Sequence, residues 1–114
     1  MKKKPENHSH PVIRQFQLDD ADLHGPFVVP DVPAGAKVLS FELVAGNPGQ
    51  NHLPSLFVLC DDASPGVPRG FACVSTDEIL PSEAADCVYI GTVQLPTGRV
   101  VHLFDGGEIP HEPD

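Results

Sequence analysis

Histidines, cysteines and carboxylates are the side chains of this chain that could do chemistry, and their spacing decides what kind. The 114 residues include six His, three Cys and sixteen Asp or Glu. A structural zinc site wants ligands paired at short spacing, as in Cys-x-x-Cys or His-x-x-x-His. Cys60, Cys73 and Cys87 stand 13 and 14 residues apart, and the His8-x-His10 pair lies in a polar terminal stretch. No physiological metal and no cofactor is expected from this arrangement. A thiol nucleophile would need His102 and an acid brought to it by the fold. Neither a Gly-x-Ser-x-Gly elbow nor a glycine-rich phosphate loop occurs. The acidic run Asp19-Asp20-Ala21-Asp22 and the pairs Asp61-Asp62 and Asp77-Glu78 sit among turn-forming residues, where solvated charge is the ordinary outcome. Acid–base work there would require a cleft that perturbs their pKa values. The expectation is a protein that is not an enzyme and has no catalytic residue.

What remains for the carboxylates is recognition. The formal net charge is −9. Setting aside the first ten residues, with three of the seven cations and one of the sixteen acids, leaves four against fifteen, a net −11 over residues 11–114. Such a body repels phosphates, since nucleic-acid binding needs a cationic surface that displaces counterions. No direct nucleic-acid binding is therefore expected, whereas docking on the basic surface of another protein is. Solubility is the simpler use of the same charge. Candidate partner-binding residues are the loop acids Asp19, Asp20, Asp22, Asp61, Asp62, Asp77 and Glu78, with Phe27 as an apolar anchor. No apolar run approaches the roughly 18 residues of a membrane-spanning helix, so no membrane partner is expected. Three cysteines cannot all pair internally, which points to reduced thiols in a reducing compartment.

These loops need a scaffold, and the chain reads as an all-β one: a compact antiparallel sandwich or barrel of five to seven short strands with at most one short helical turn. Residues 1–10 read as a disordered tail, 11–106 as a single domain and 107–114 as a C-terminal tail. Strands are expected around Val12–Leu18, Phe27–Val29, Val38–Val44, Ser55–Cys60, Arg69–Ser75, Val88–Leu95 and Arg99–Asp105. Thirteen prolines and ten glycines supply the turns between them. Phe27–Val29, bounded by Pro26 and Pro30, suits an edge, which leaves a homodimer by edge pairing open. Ser55–Cys60 is almost continuously apolar, as in a strand covered on both faces. Pro81-Ser82-Glu83-Ala84-Ala85 is the one credible helical turn. The register of the last hairpin can be written down. Pro96 opens a type I turn and Gly98 takes the left-handed position of a three-residue loop. Leu95 then faces Arg99, Val93 faces Val101, Thr92 faces His102 and Ile90 faces Phe104. The expected core comprises Phe16, Leu39, Phe41, Leu43, Leu56, Val58, Phe71, Ile90, Leu103 and Phe104.

Four segments, Pro33–Ser40, Leu56–Asp61, Tyr89-Ile90-Gly91-Thr92-Val93-Gln94 and Val100-Val101-His102-Leu103-Phe104-Asp105, occur in that order. Together they resemble a family of small bacteriophage and prophage proteins catalogued as a domain of unknown function. The resemblance covers roughly residues 12–105. It implies a phage origin and a small β-rich domain, and it implies no activity; with no N-terminal apolar stretch resembling a signal peptide, the cytoplasm of a bacterial host is the expected location. Joined to the charge, the resemblance suggests an inhibitor of a host defence or nucleic-acid-processing protein that occupies a basic groove. The alternative is a small-molecule-binding or virion accessory domain with a pocket lined by Tyr89, His102 and an Arg. Salt separates the two, because only the first weakens steeply with ionic strength.

Overall fold

The computed structural model describes residues 10–46 and 52–110. Seven antiparallel strands form two sheets: β1 (Pro11–Gln17), β2 (Gly25–Pro33), β3 (Lys37–Val44), β4 (Leu53–Asp61), β5 (Gly66–Ser75), β6 (Val88–Gln94) and β7 (Val100–Glu108). Sheet A has the order β1-β4-β3 and sheet B the order β2-β5-β7-β6. Apolar residues alternate along these strands, so each sheet has one face to bury, and the two buried faces make the core. Leu56, Val58, Val101, Leu103 and Cys73 are each at most 1% exposed, with Phe41, Phe71, Val38 and Val93 packed around them. Burying one such aliphatic side chain stabilises by roughly 1.5–3 kcal/mol. The sheets meet closely along β3 and β6. There Gly91 lies against Phe41, and a Cβ at that position would stand 3.4 Å from the Phe41 Cβ.

The last hairpin forms as expected at its tip. The Gly98 amide donates to the Leu95 carbonyl and the Leu95 amide to the Arg99 carbonyl, both at 2.8 Å, with Gly98 at φ +96°. Val93 pairs with Val101 and Thr92 with His102. Further down the register departs: a bulge between Tyr89 and Gly91 sets Tyr89, not Ile90, opposite Phe104. A second bulge, between Val38 and Ser40, corrects the expected core. One extra residue reverses the facing of every side chain beyond it. Val38 and Phe41 both point inward, and Leu39 turns outward at 42% exposure. Phe104 is also outside the core, on the outer face of sheet B edge-on to Tyr89 (5.7 Å between ring centroids). Phe16, Leu43 and Ile90 are only partly buried and pack against the core's margin.

β4 is central, and its outer face is covered only in part: Ser55 is fully buried there, whereas Leu59 looks outward at 39% exposure beside its partner Ile13 at 62%. β2 is an edge strand as its prolines foretell, and it runs from Gly25 to Pro33 with a bulge after Val29. β7 continues to Glu108, and the Ile109 amide donates to the Pro68 carbonyl, so the folded body runs past residue 106. Among the described residues two 3-10 turns occur, one at Ser82–Ala84 and one at Asp20–Leu23 in the acidic connection between β1 and β2. Residues 1–9 and 111–114 of the expected tails lie outside the described residues.

The register defines two ends. Gln17 pairs with Ser55, Gly25 with Cys73 and Ser75 with Val101, so Leu18–His24, Thr76–Glu78 and the Pro96–Gly98 turn share an upper end. Pro11 pairs with Asp61, Pro33 with Gly66 and Arg69 with Glu108 at the lower end. Residues 76–87 descend from upper to lower end across the outer face of sheet B, which buries Ala84 and explains why the outward Ala72 and Val74 are 1% and 5% exposed.

Candidate functional site

The acidic loops are separated by this topology. Asp19, Asp20 and Asp22 lie in the β1–β2 connection at the upper end, together with Asp77 and Glu78 after β5. Both groups stand near Cys73, whose ionisation Asp22 and Glu78 oppose from either side. Asp61 and Asp62, in the β4–β5 turn, occupy the lower end. Five of the seven candidate acids therefore share one end, and two do not.

Two of the upper acids, Asp22 and Glu78, are held by their own short-range chemistry. The Asp19 amide donates to Asp22 Oδ2 at 2.9 Å, and the Asp22 amide to the Asp19 carbonyl at 2.9 Å, closing the 3-10 turn. The Ser75 amide donates to Glu78 Oε1 at 2.8 Å and the Glu78 amide to the Ser75 carbonyl at 3.1 Å. Between them Asp77 adopts φ +75°, a left-handed backbone that a non-glycine residue tolerates when its side chain is Asp or Asn. Asp20 projects into solvent with its side chain 89% exposed.

The arginines of the body are spent on architecture. Arg99 stitches the upper end together: its Nε donates to Ser75 Oγ at 2.6 Å and its Nη2 to the Leu23 carbonyl. Arg69 forms a buried two-pronged pair with Asp105, at 3.0 and 2.8 Å, and also donates to the Ala36 carbonyl at 2.8 Å. The pairing with Asp105 raises the Arg69 pKa against the opposing effect of burial. Arg14 pairs with Asp62 on the surface of the lower end. Asp62 is thus half neutralised, and Asp61 Oδ1 accepts from the Ala63 amide at 2.9 Å and the His10 amide at 3.1 Å.

Phe27 does not serve as the anchor expected of it. Its ring faces the core and stacks on Phe71 at 5.5 Å, because the two are register partners on the inner face of sheet B. The outward residue of that edge is Val28, at 50% exposure. The apolar residues offered to solvent at the upper end are Ile79 and Leu80, 94% and 45% exposed. Periodicity does not mark them, because two apolar residues between Glu78 and Pro81 make no periodic element. Their position in a bounded loop was the available signal.

Tyr89 and His102 stand on the outer face of sheet B rather than with an arginine. His102 Nδ1 and Nε2 lie 2.8 Å from Thr92 Oγ1 and Thr76 Oγ1, and Thr92 Oγ1 meets Tyr89 OH at 2.5 Å. None of the three body arginines joins this row. Among the described residues no group of three or more His, Cys, Asp or Glu could hold a metal ion. No disulfide joins Cys60, Cys73 and Cys87. Burial pushes the Cys73 thiol up to about 11, with Arg99 pulling weakly the other way. Burial also raises Cys87. Among the described residues no helix is long and apolar enough to cross a membrane.

A sequence profile for a family described as a domain of unknown function, DUF7352, matches residues 23–112. No curated protein and no solved structure matches the chain.

Proposed function

We propose, for a chain that belongs to the DUF7352 family, a non-catalytic binding domain that presents its acidic upper end to a basic surface of a partner protein. The observation that carries this reading is the β2–β5 register, which gathers Asp19, Asp20, Asp22, Asp77 and Glu78 at one end of the sandwich. Arg99, the one arginine at this end, is engaged by Ser75 and the Leu23 carbonyl, so five acids face a single cation there, and hydrogen bonds to the Asp22 and Glu78 carboxylates fix two of them in place. Fixed charge of one sign steers encounter and selects a partner of opposite sign. The finer form of the proposal is an inhibitor, carried by a phage, that covers the nucleic-acid groove of a host protein. It rests on the family resemblance and on the acidity together.

The test is capture from bacterial lysate followed by quantitative mass spectrometry, with three baits of verified fold. The wild type should retain a basic protein, Asp19→Lys/Asp20→Lys should lose it, and Asp61→Lys/Asp62→Lys should keep it. Retention should also weaken steeply as salt rises. Capture that survives both the upper charge reversal and high salt would sink the electrostatic reading and favour a small-molecule or virion accessory domain.

A further inference from the structure

We infer that Ile79 and Leu80 form the apolar anchor of the acidic end, and that the partner is a protein surface bearing an apolar socket ringed by lysines or arginines. The inference rests on the proposed function and adds to it the residue that enters the partner. Ile79 is 94% exposed, the most exposed large hydrophobic residue among those described, and Leu80 beside it is 45% exposed. A single exposed aliphatic residue is ordinary. Here three further observations bear on it.

The loop tip is built rather than loose. Thr76 is fixed through its amide to the Val100 carbonyl at 3.0 Å and through its hydroxyl to His102 at 2.8 Å. Glu78 closes the turn back on Ser75, with the left-handed Asp77 between them. A backbone turn fixed immediately before Ile79 has less freedom to lose on binding. Beneath the tip is a concavity of about 460 Å³ whose walls include Pro26, Val74, Ile79 and Pro81 together with His24 and Glu78. Ile79 thus forms both the projection and one wall of a mainly apolar hollow, a shape that a complementary surface can cover as one unit.

Charge identifies the occupant. Asp77 and Glu78 immediately precede the anchor, and Asp20 and Asp22 precede His24 on the hollow's other wall. An anionic membrane or a nucleic acid would be repelled by that surround, whereas a cationic rim on a protein would be drawn to it. Affinity at such interfaces concentrates in an apolar residue that enters a pocket, while rim charges set approach and specificity.

Two synthetic peptides of equal positive charge test this: an oligolysine, and a peptide in which lysine alternates with phenylalanine. Titrated into the full chain by calorimetry, the alternating peptide should bind about tenfold or more tightly than the oligolysine. Ile79→Ser, at a site too exposed to affect folding, should abolish that advantage and leave oligolysine binding unchanged. Asp20→Lys should weaken both. If Ile79→Ser leaves the alternating peptide's affinity intact while Asp20→Lys still weakens it, the anchor is wrong and the acidic docking end stands. If neither peptide responds to Asp20→Lys, the docking end falls too and takes the anchor with it.

Discussion

Removing the Asp105 carboxylate should cost this domain a large part of its stability, although Asp105 is far from the acidic end. Arg69 and Asp105 have side chains only 12% and 9% exposed. Asp105 accepts both prongs of the guanidinium and also the Gly107 amide at 2.8 Å. Asp105→Ala leaves a guanidinium buried with one remaining acceptor, the Ala36 carbonyl. Breaking a buried pair from one side costs about 3–5 kcal/mol, whereas replacing both partners by apolar residues of similar volume is often near neutral. Total stability for such a domain is roughly 5–15 kcal/mol, so Asp105→Ala should lower the urea midpoint by about 1.5–5 M at a slope of roughly 1–2 kcal/mol/M. The assay is equilibrium urea unfolding of the wild type, Asp105→Ala, Arg69→Met and Arg69→Met/Asp105→Leu. The double variant should recover most of the loss. A loss under about 1 kcal/mol for Asp105→Ala, or a double variant worse than both singles, would refute the view that an uncompensated charge dominates.

Three further outcomes are expected. Because the folded Cys73 thiol titrates near 11, above its unfolded value, its contribution to stability is complete below about pH 8.5 and declines as pH rises towards 11. Urea midpoints should fall over that interval in the wild type and fall less in Cys73→Ala. Leu103→Ala, at a fully buried position, should cost about 2–5 kcal/mol by chemical denaturation, while Leu39→Ser at its outward bulge should change stability by less than about 1 kcal/mol. Asp77→Val should destabilise by about 1–2 kcal/mol because a β-branched residue resists φ +75°, and Asp77→Gly should be tolerated in thermal melts.

What could be read from the chain was whatever short-range chemistry decides. Pro96 and Gly98 set their own turn, so the pairings of Thr92 with His102 and of Val93 with Val101 followed from local geometry. The prolines flanking Phe27 marked an edge because proline cannot donate to a ladder. Bulges have no such signature. Nothing in Val38-Leu39-Ser40 or Tyr89-Ile90-Gly91 announces an extra residue, and each bulge moved an apolar side chain away from its expected place. The pairing of Phe27 with Phe71 is a long-range register that no local pattern encodes, so its ring was assigned to a partner instead of the core. The grouping of the acids was also invisible in sequence. Asp22 and Asp77 come together only because β2 and β5 are neighbours, and Asp61 is excluded only because strands have two ends. Arg69 and Asp105 gave no hint of burial, since either residue alone reads as surface.

β7 lies between β5 and β6, and that position bears on how the protein comes into being. During synthesis β2 and β5 emerge well before the strand that must sit beside β5, and β6 emerges with no hydrogen-bonded neighbour other than β7. Sheet B therefore cannot close on a nascent chain until nearly all of the domain has been made. Until then β5 exposes an unsatisfied ladder rich in apolar side chains, the kind of edge that recruits other chains. Only β3–β4 and β6–β7 pair with their immediate successors, so most of the fold waits on distant partners and should assemble over milliseconds to seconds. Truncation just before Val100 would strip sheet B of an interior member, and inclusion bodies rather than a smaller folded domain are the expected product.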